Sequence, residues 1–325
     1  MPLLESSFNP PWYLRNKHLQ TILPALFRTV PGVQFTRERI YGIDNDFLDL
    51  DWIHHTSNKV ALLVHGLEAS TNSAYIRGMA RALHKDGWNV AALNLRGVTH
   101  QHHELKRTYH SGATDDIQMV VHHIFTNYTF SEMALVGFSL GGNLVIKYAG
   151  ERGNEIDIRI KKAVAVSVPC DLKSTAYHLD SPARSIYGKR FLRSLKKKLY
   201  GIRGRLPFSL TGDDIQNITT LVQYDDHFTA PMYGFRNAED YYEKCSSKQF
   251  ISQVKIPMLI LTAKDDPFFT TASIPVDECM ALQHVWLETP QHGGHVGFMM
   301  NHPWGKYYSE QRTIDFLNGQ NTAKG

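Results

Sequence analysis

The residues with the clearest chemical potential lie in Gly137-Phe138-Ser139-Leu140-Gly141, directly after the apolar run Met133–Val136 and before a helical stretch from Gly141 to Ala149. A serine on a sharp strand-to-helix turn needs small neighbours two positions away on either side, because the turn presses them against the adjoining backbone. The helix that follows points its N-terminus at any negative charge formed on the serine's target. This is the setting of a nucleophile for acyl transfer, and Ser139 is the candidate.

Such a serine needs a base, and the base needs an acid to orient it. After the apolar run Pro257–Leu261 the chain reads Thr262-Ala263-Lys264-Asp265-Asp266-Pro267. Asp265 is the first acid beyond that strand and is the expected orienting carboxylate. Asp266 is its rival, with turn formation before Pro267 as its other role. Following the last apolar run, Gln291-His292-Gly293-Gly294-His295 offers two histidines. His295 is the expected base and His292 the weaker choice, since two preceding glycines permit a tight loop that turns the second imidazole back. The order Ser139, Asp265, His295, each at the end of a predicted strand, carries more weight than any of the three alone. Two backbone donors are also required to hold an oxyanion. Leu140 N–H follows the serine, and Leu67 N–H, in His65-Gly66-Leu67-Glu68, is the second candidate.

The elements that must hold these residues show a change of rhythm. Phe35–Tyr41 and Phe47–Trp52 alternate with period two around the turn-forming residues 42–46, which predicts a hairpin. Short continuous apolar runs at Val60–Val64, Val90–Leu93, Met133–Val136 and Ala163–Val166 then alternate with helical stretches near 74–84, 116–127 and 141–149. Runs apolar on both faces, separated by helices, predict a parallel sheet covered on each side. From about 171 to 250 the alternation stops in favour of a helix-rich, polar and basic stretch, after which Pro257–Leu261 and His284–Leu287 resume the sheet. The expectation is a single domain over 1–325, with an irregular N-terminal arm at 1–33, a helical cap inserted at 171–250 and a last helix beginning near Pro303.

Bulk properties limit the alternatives. The formal charge is only +4 over 325 residues, which gives no general case for nucleic-acid binding. Cys170, Cys245 and Cys279 are far apart and form no CxxC pair, so a disulfide framework is not expected and a reducing, cytoplasmic setting is. The N-terminus lacks a signal-peptide pattern, and no apolar run is long enough to span a bilayer. His100, His102, His103, His110, His122 and His123 cluster without an H-E-x-x-H or cysteine pattern, so no metal is expected. One charge anomaly stands out: Arg184 to Arg205 holds nine basic residues, including Lys196-Lys197-Lys198, with Leu192, Leu195 and Leu199 at helical spacing. That is either a solvated helix packed by one stripe or a cap whose basic face meets anionic lipid head groups.

Taken together, the chain resembles the YheT-like branch of the α/β hydrolases, akin to the eukaryotic α/β-hydrolase-domain lipases. The resemblance runs nearly end to end. It rests on Asn16-Lys17-His18-Leu19-Gln20-Thr21, His65-Gly66-Leu67-Glu68, Asn94-Leu95-Arg96-Gly97, the Gly-Phe-Ser-Leu-Gly-Gly-Asn stretch at 137–143, Asp265-Asp266-Pro267-Phe268 and Gly293-Gly294-His295-Val296-Gly297-Phe298. It implies an α/β-hydrolase fold, with a mostly parallel central sheet, helices on both faces and a helical cap. The implied activity is that of a carboxylesterase or lipase acting on a small-molecule or lipid ester without a cofactor, through Ser139, Asp265 and His295. Transfer to an acceptor other than water, or a silent fold used for binding, would be built from the same elements.

Overall fold

A computed structural model describes residues 2–42, 46–98 and 108–320, without the side chains of residues 184 and 185. Its framework is a nine-stranded sheet: β1 (Leu3–Leu4), β2 (Thr36–Tyr41), β3 (Phe47–Ile53), β4 (Lys59–Val64), β5 (Asn89–Asn94), β6 (Glu132–Phe138), β7 (Ile160–Val166), β8 (Met258–Leu261) and β9 (Val285–Glu288). They lie in the order β1-β9-β8-β7-β6-β4-β5-β3-β2. Neighbours from β1 through β5 are parallel, while β3 pairs antiparallel with both β5 and β2, closing one edge as the hairpin seen in the sequence. Its turn residues 43–45 fall outside the described residues.

Strand β4 shows why the parallel strands read as unbroken apolar runs. Ala61 and Leu63 join one core, with Met79, Leu83 and Phe316 from the helices Ala74–Lys85 and Tyr308–Leu317. Val60, Leu62 and Val64 join the other, with Ile117, Val121, Leu144 and Ile146 from Thr114–Asn127 and Leu140–Arg152. Every side chain of a strand covered on both faces leaves water, and a valine or leucine contributes roughly 1.5–3 kcal/mol when fully buried. The last helix starts at Tyr308 and not at Pro303, because His302–Gly305 close a turn and Tyr307 is extended, bridging Met299, with its hydroxyl donating to the Pro303 carbonyl.

The N-terminal arm is more ordered than its composition suggests. Leu3–Leu4 adds a parallel edge strand beside Leu287 and Glu288. Lys17–Phe27 is a helix, capped by the Asn16 side chain, which accepts from the His18 and Leu19 amides. At the end of β9 the arm and the last helix meet on a buried charge. Glu288 accepts from Arg312 Nε at 2.6 Å, from Ser6 Oγ at 2.6 Å and from Tyr308 OH. Stripping one partner from such a pair costs about 3–5 kcal/mol, because the other charge stays buried alone.

Between β7 and β8 the chain contributes helices and no strand among the described residues. Leu172–Asp180, Ser185–Ile202 and the turns from Leu221 to Tyr233 pack around Leu192, Leu199, Ile215, Leu221 and Phe228. This cap core reaches the sheet through Phe268 and Phe269, just beyond β8. The basic helix Ser185–Ile202 packs by one leucine stripe. Two of its lysines are not free to meet a surface: Lys196 Nζ donates to the Gln216 and Ile218 carbonyls at 2.9 and 2.8 Å, and Lys198 Nζ reaches Glu68 at 2.7 Å.

Candidate active site

The chain order reverses across β4, with β5 on one side and β6 on the other, so loops leaving the C-terminal ends of β4, β6, β8 and β9 converge above the sheet. Ser139 ends β6. Its backbone, at φ 53° and ψ −122°, lies where a side chain is strained, and the helix begins at the next residue. The flanking glycines are sterically required: a Cβ on Gly137 would lie 2.3 Å from the Gly141 carbonyl oxygen, and one on Gly141 would lie 2.3 Å from that of Val64. Asn143, fully buried one turn later, ties the elbow to the cap by donating to the Ser111 and Cys245 carbonyls and accepting from Ser247 N–H.

His295 Nε2 stands 3.0 Å from Ser139 Oγ, and His295 Nδ1 stands 2.9 Å from Asp266 Oδ2. A carboxylate can only accept, so Nδ1 carries the proton and Nε2 is left to receive one from the serine. The expectation of Asp265 as the imidazole's partner is therefore corrected to Asp266. Residues Ala263 to Asp266 close a turn, Asp266 N–H donating to the Ala263 carbonyl, and Asp266 is carried inward to 1% side-chain exposure. Its second oxygen accepts from Phe268 N–H at 2.9 Å. Asp265 faces the other way, accepting from Gly294 N–H at 3.0 Å and lying 3.5 Å from His292 Nδ1, and burial raises its pKa. His292 thus pairs with the outer acid, away from the serine.

The histidine loop is braced on three sides. Phe268 stacks on the imidazole at 3.9 Å between centroids, with Phe269 edge-on at 5.3 Å. His295 N–H donates to Thr21 Oγ1 at 2.9 Å, and Val296 N–H to Ser167 Oγ at 3.0 Å. Gly294 has φ +56°, and a Cβ there would lie 2.6 Å from the Lys17 carbonyl oxygen. Sequence reasoning missed Thr21 and Ser167 as supports. The only available signal for Thr21 was its place in the arm motif, and Ser167 gave none.

The loop after β4 abuts the serine, since a Cβ on Gly66 would lie 2.9 Å from Ser139 Cβ. Leu67 and Leu140 both line the pocket around Ser139. His65 is fully buried, donating from Nδ1 to the Gly66 carbonyl and accepting the Leu95 amide at Nε2, and burial lowers its pKa to about 4. It is thus a neutral brace for the loop. Glu68, at φ 54°, is clamped between the cap and the chain after β5: its carboxylate accepts from Lys198 Nζ at 2.7 Å and Ser194 Oγ of the cap helix, and from Tyr109 OH at 3.0 Å. Neighbouring Glu68 N–H and Gly66 N–H donate to the Tyr109 and Tyr75 hydroxyls. Two cavities meet at Ser139. One runs under the cap, lined by Leu179, Leu195, Leu199, Leu221, Phe228 and Phe268, with a polar end at Asp225. The other is a cleft between the Lys17–Phe27 helix and the cap helix, with Ser139 and His295 on its floor.

Asp225 opens a wide turn, Asp225–Thr229, in which Thr229 Oγ1 and Tyr242 OH donate to its two oxygens at 2.6 and 2.7 Å. Burial raises its pKa to about 6. Among the described residues no group of three or more His, Cys, Asp or Glu is placed to hold a metal, and His100, His102 and His103 lie outside them. No helix among them is long and apolar enough to cross a membrane.

Comparison with known proteins follows the same lines. Residues 60–301 match the family described as the alpha/beta hydrolase fold. YheT of Escherichia coli (strain K12), provisionally named an esterase, is 35% identical over 98% of this chain and 95% of its own length. Phospholipase ABHD3 of Bos taurus is 26% identical over 92% of this chain and 74% of its own. The monoacylglycerol lipase of Saccharomyces cerevisiae (strain ATCC 204508 / S288c) is 27% identical over 89% and 65%. Among solved structures, Pyrococcus furiosus esterase Pf2001 is similar with a TM-score of 0.57 at 18% identity, over 90% of this chain and 95% of that one, a likeness of fold. On the family match, the near full-length relative and the sheet, the chain belongs to the α/β-hydrolase fold family.

Proposed function

We propose that the protein is a serine hydrolase of carboxylic esters with an apolar acyl group. The observation that carries this reading is the continuous line Ser139 Oγ, His295, Asp266, at 3.0 and 2.9 Å, placed where two cavities meet. Ser139 Oγ attacks the ester carbonyl while its proton passes to His295 Nε2. Asp266 stabilises the imidazolium that forms, and the Leu140 and Leu67 amides receive the oxyanion. As the tetrahedral intermediate collapses, the alcohol leaves with the proton from Nε2, and the acyl group stays on Ser139. Water then gives a proton to His295 and attacks the acyl-enzyme, releasing the acid and restoring Ser139.

The leucine- and phenylalanine-lined cavity under the cap suits an acyl chain. Relatives named phospholipase and monoacylglycerol lipase support a lipid ester. A fluorophosphonate probe should label the wild type and not Ser139→Ala. Hydrolysis of p-nitrophenyl esters should improve from short to medium acyl length. A folded wild type that neither labels nor hydrolyses any ester of the series defeats the proposal.

A further inference from the structure

The Lys17–Phe27 helix buries Pro24 and packs Leu23 against Leu14, Met299 and Tyr307, yet leaves most of its large apolar side chains outside. Its buried side holds Gln20, fully enclosed, whose amide donates to the Leu14 and Met299 carbonyls and accepts from Met299 N–H. Its outer side carries Leu19, Ile22, Leu26 and Phe27, exposed by 40%, 37%, 61% and 54%. Positions 19, 22 and 26 share one face. A contiguous apolar face on a helix anchored by a buried amide marks an interaction surface, not a core that failed to close.

Its neighbour supplies the complementary charge. His18 Nδ1 is 2.8 Å from Tyr187 OH, and the two rings stack, joining this helix to the cap helix Ser185–Ile202. On the cap helix Lys189, Arg190, Arg193 and Lys197 are exposed, and residues 181–212 contain no acid to offset them. Between the two helices runs the cleft to the reactive serine, with Ile22 and Ala25 on one wall and Arg190 and Phe191 on the other.

We propose that the outer face of the Lys17–Phe27 helix, with the exposed basic residues of the cap helix, docks on a lipid surface bearing anionic head groups and so sets the cleft mouth against the bilayer. Apolar side chains enter the acyl boundary while the guanidinium and ammonium groups meet phosphate, the arrangement of an interfacial helix. A second copy is the poorer occupant, because a two-fold contact through this face would set one basic cap helix against another. Where the notional acyl route matters, this inference rests on the serine-hydrolase reading, but binding itself does not.

The test is co-sedimentation of the full chain with vesicles of phosphatidylcholine alone and of phosphatidylcholine mixed with phosphatidylglycerol. Fluorophosphonate labelling in vesicle-free buffer is measured in parallel. Wild type should pellet with the mixed vesicles and be released by high salt. L26S/F27S and K189Q/R193Q/K197Q should each weaken binding by roughly tenfold or more while labelling as wild type. The inference is overturned if wild type stays in the supernatant with both vesicles, or if both variants pellet unchanged. It is also overturned if L26S/F27S dissolves a dimer while vesicle binding is absent. A wild type that binds vesicles but does not label defeats the hydrolase reading and leaves the docking surface standing.

Discussion

Replacing Asp266 by asparagine keeps the size of the side chain and removes the charge facing His295 Nδ1 across 2.9 Å. With charge centres about 4 Å apart and an effective dielectric near 20, the lost attraction to the imidazolium is about 4 kcal/mol. That corresponds to roughly a thousandfold in the rate of acylation. An asparagine amide can also donate to Nδ1 and invert the imidazole tautomer, which in a well-studied protease triad brings the loss to about 10⁴-fold. Asp265→Asn gives the internal control. That carboxylate holds Gly294 N–H and sits beside His292, so its replacement weakens one hydrogen bond of the loop, about 1 kcal/mol or a several-fold loss. The assay is pre-steady-state acylation by a p-nitrophenyl ester, with circular dichroism to verify folding. A large loss in Asp265→Asn beside near-normal rates in Asp266→Asn would refute the geometric argument.

Two further outcomes follow from groups around the cavities. Glu68→Gln removes the charge that Lys198 and Tyr109 hold in the loop carrying Leu67, and should lower kcat about tenfold with KM little changed. An unchanged kcat with a raised KM would place Glu68 in substrate binding instead. Asp225 is held above its ordinary value of 3.8, at about 6, by burial. The folded state therefore binds its proton more tightly than the unfolded chain, and stability is lost as pH rises through about 4 to 6 and stays reduced above. Asp225→Asn should accordingly stabilise the fold by up to about 3 kcal/mol at pH 8 and hardly at all below pH 4, as read by urea denaturation.

Local sequence determined the parallel sheet and the elbow. Strands covered on both faces must be apolar at every position, as Val60–Val64 are, and the close approach at Ser139 admits only glycine at 137 and 141. Those constraints act within a few residues and leave a readable pattern. The His295 loop was legible for a similar reason, because Gly294 adopts a left-handed backbone against the Lys17 carbonyl. The choice between Asp265 and Asp266 was not legible. Adjacent acids in one turn have the same local chemistry, and only the path of the turn beneath Phe268 sends the second toward the imidazole and the first toward Gly294. The Lys17–Phe27 helix was obscured because a glutamine faces inward among Leu23 and Pro24 while Leu19, Ile22, Leu26 and Phe27 face out, which makes sense only once Gln20 has the Leu14 and Met299 backbone to bind. Residues such as Thr21 and Ser167, which brace His295 and Val296 from 274 and 129 positions away, exist as parts of a site only after folding. A hydroxyl's partner is set by where the backbone brings it, and its own neighbours in the chain do not encode that.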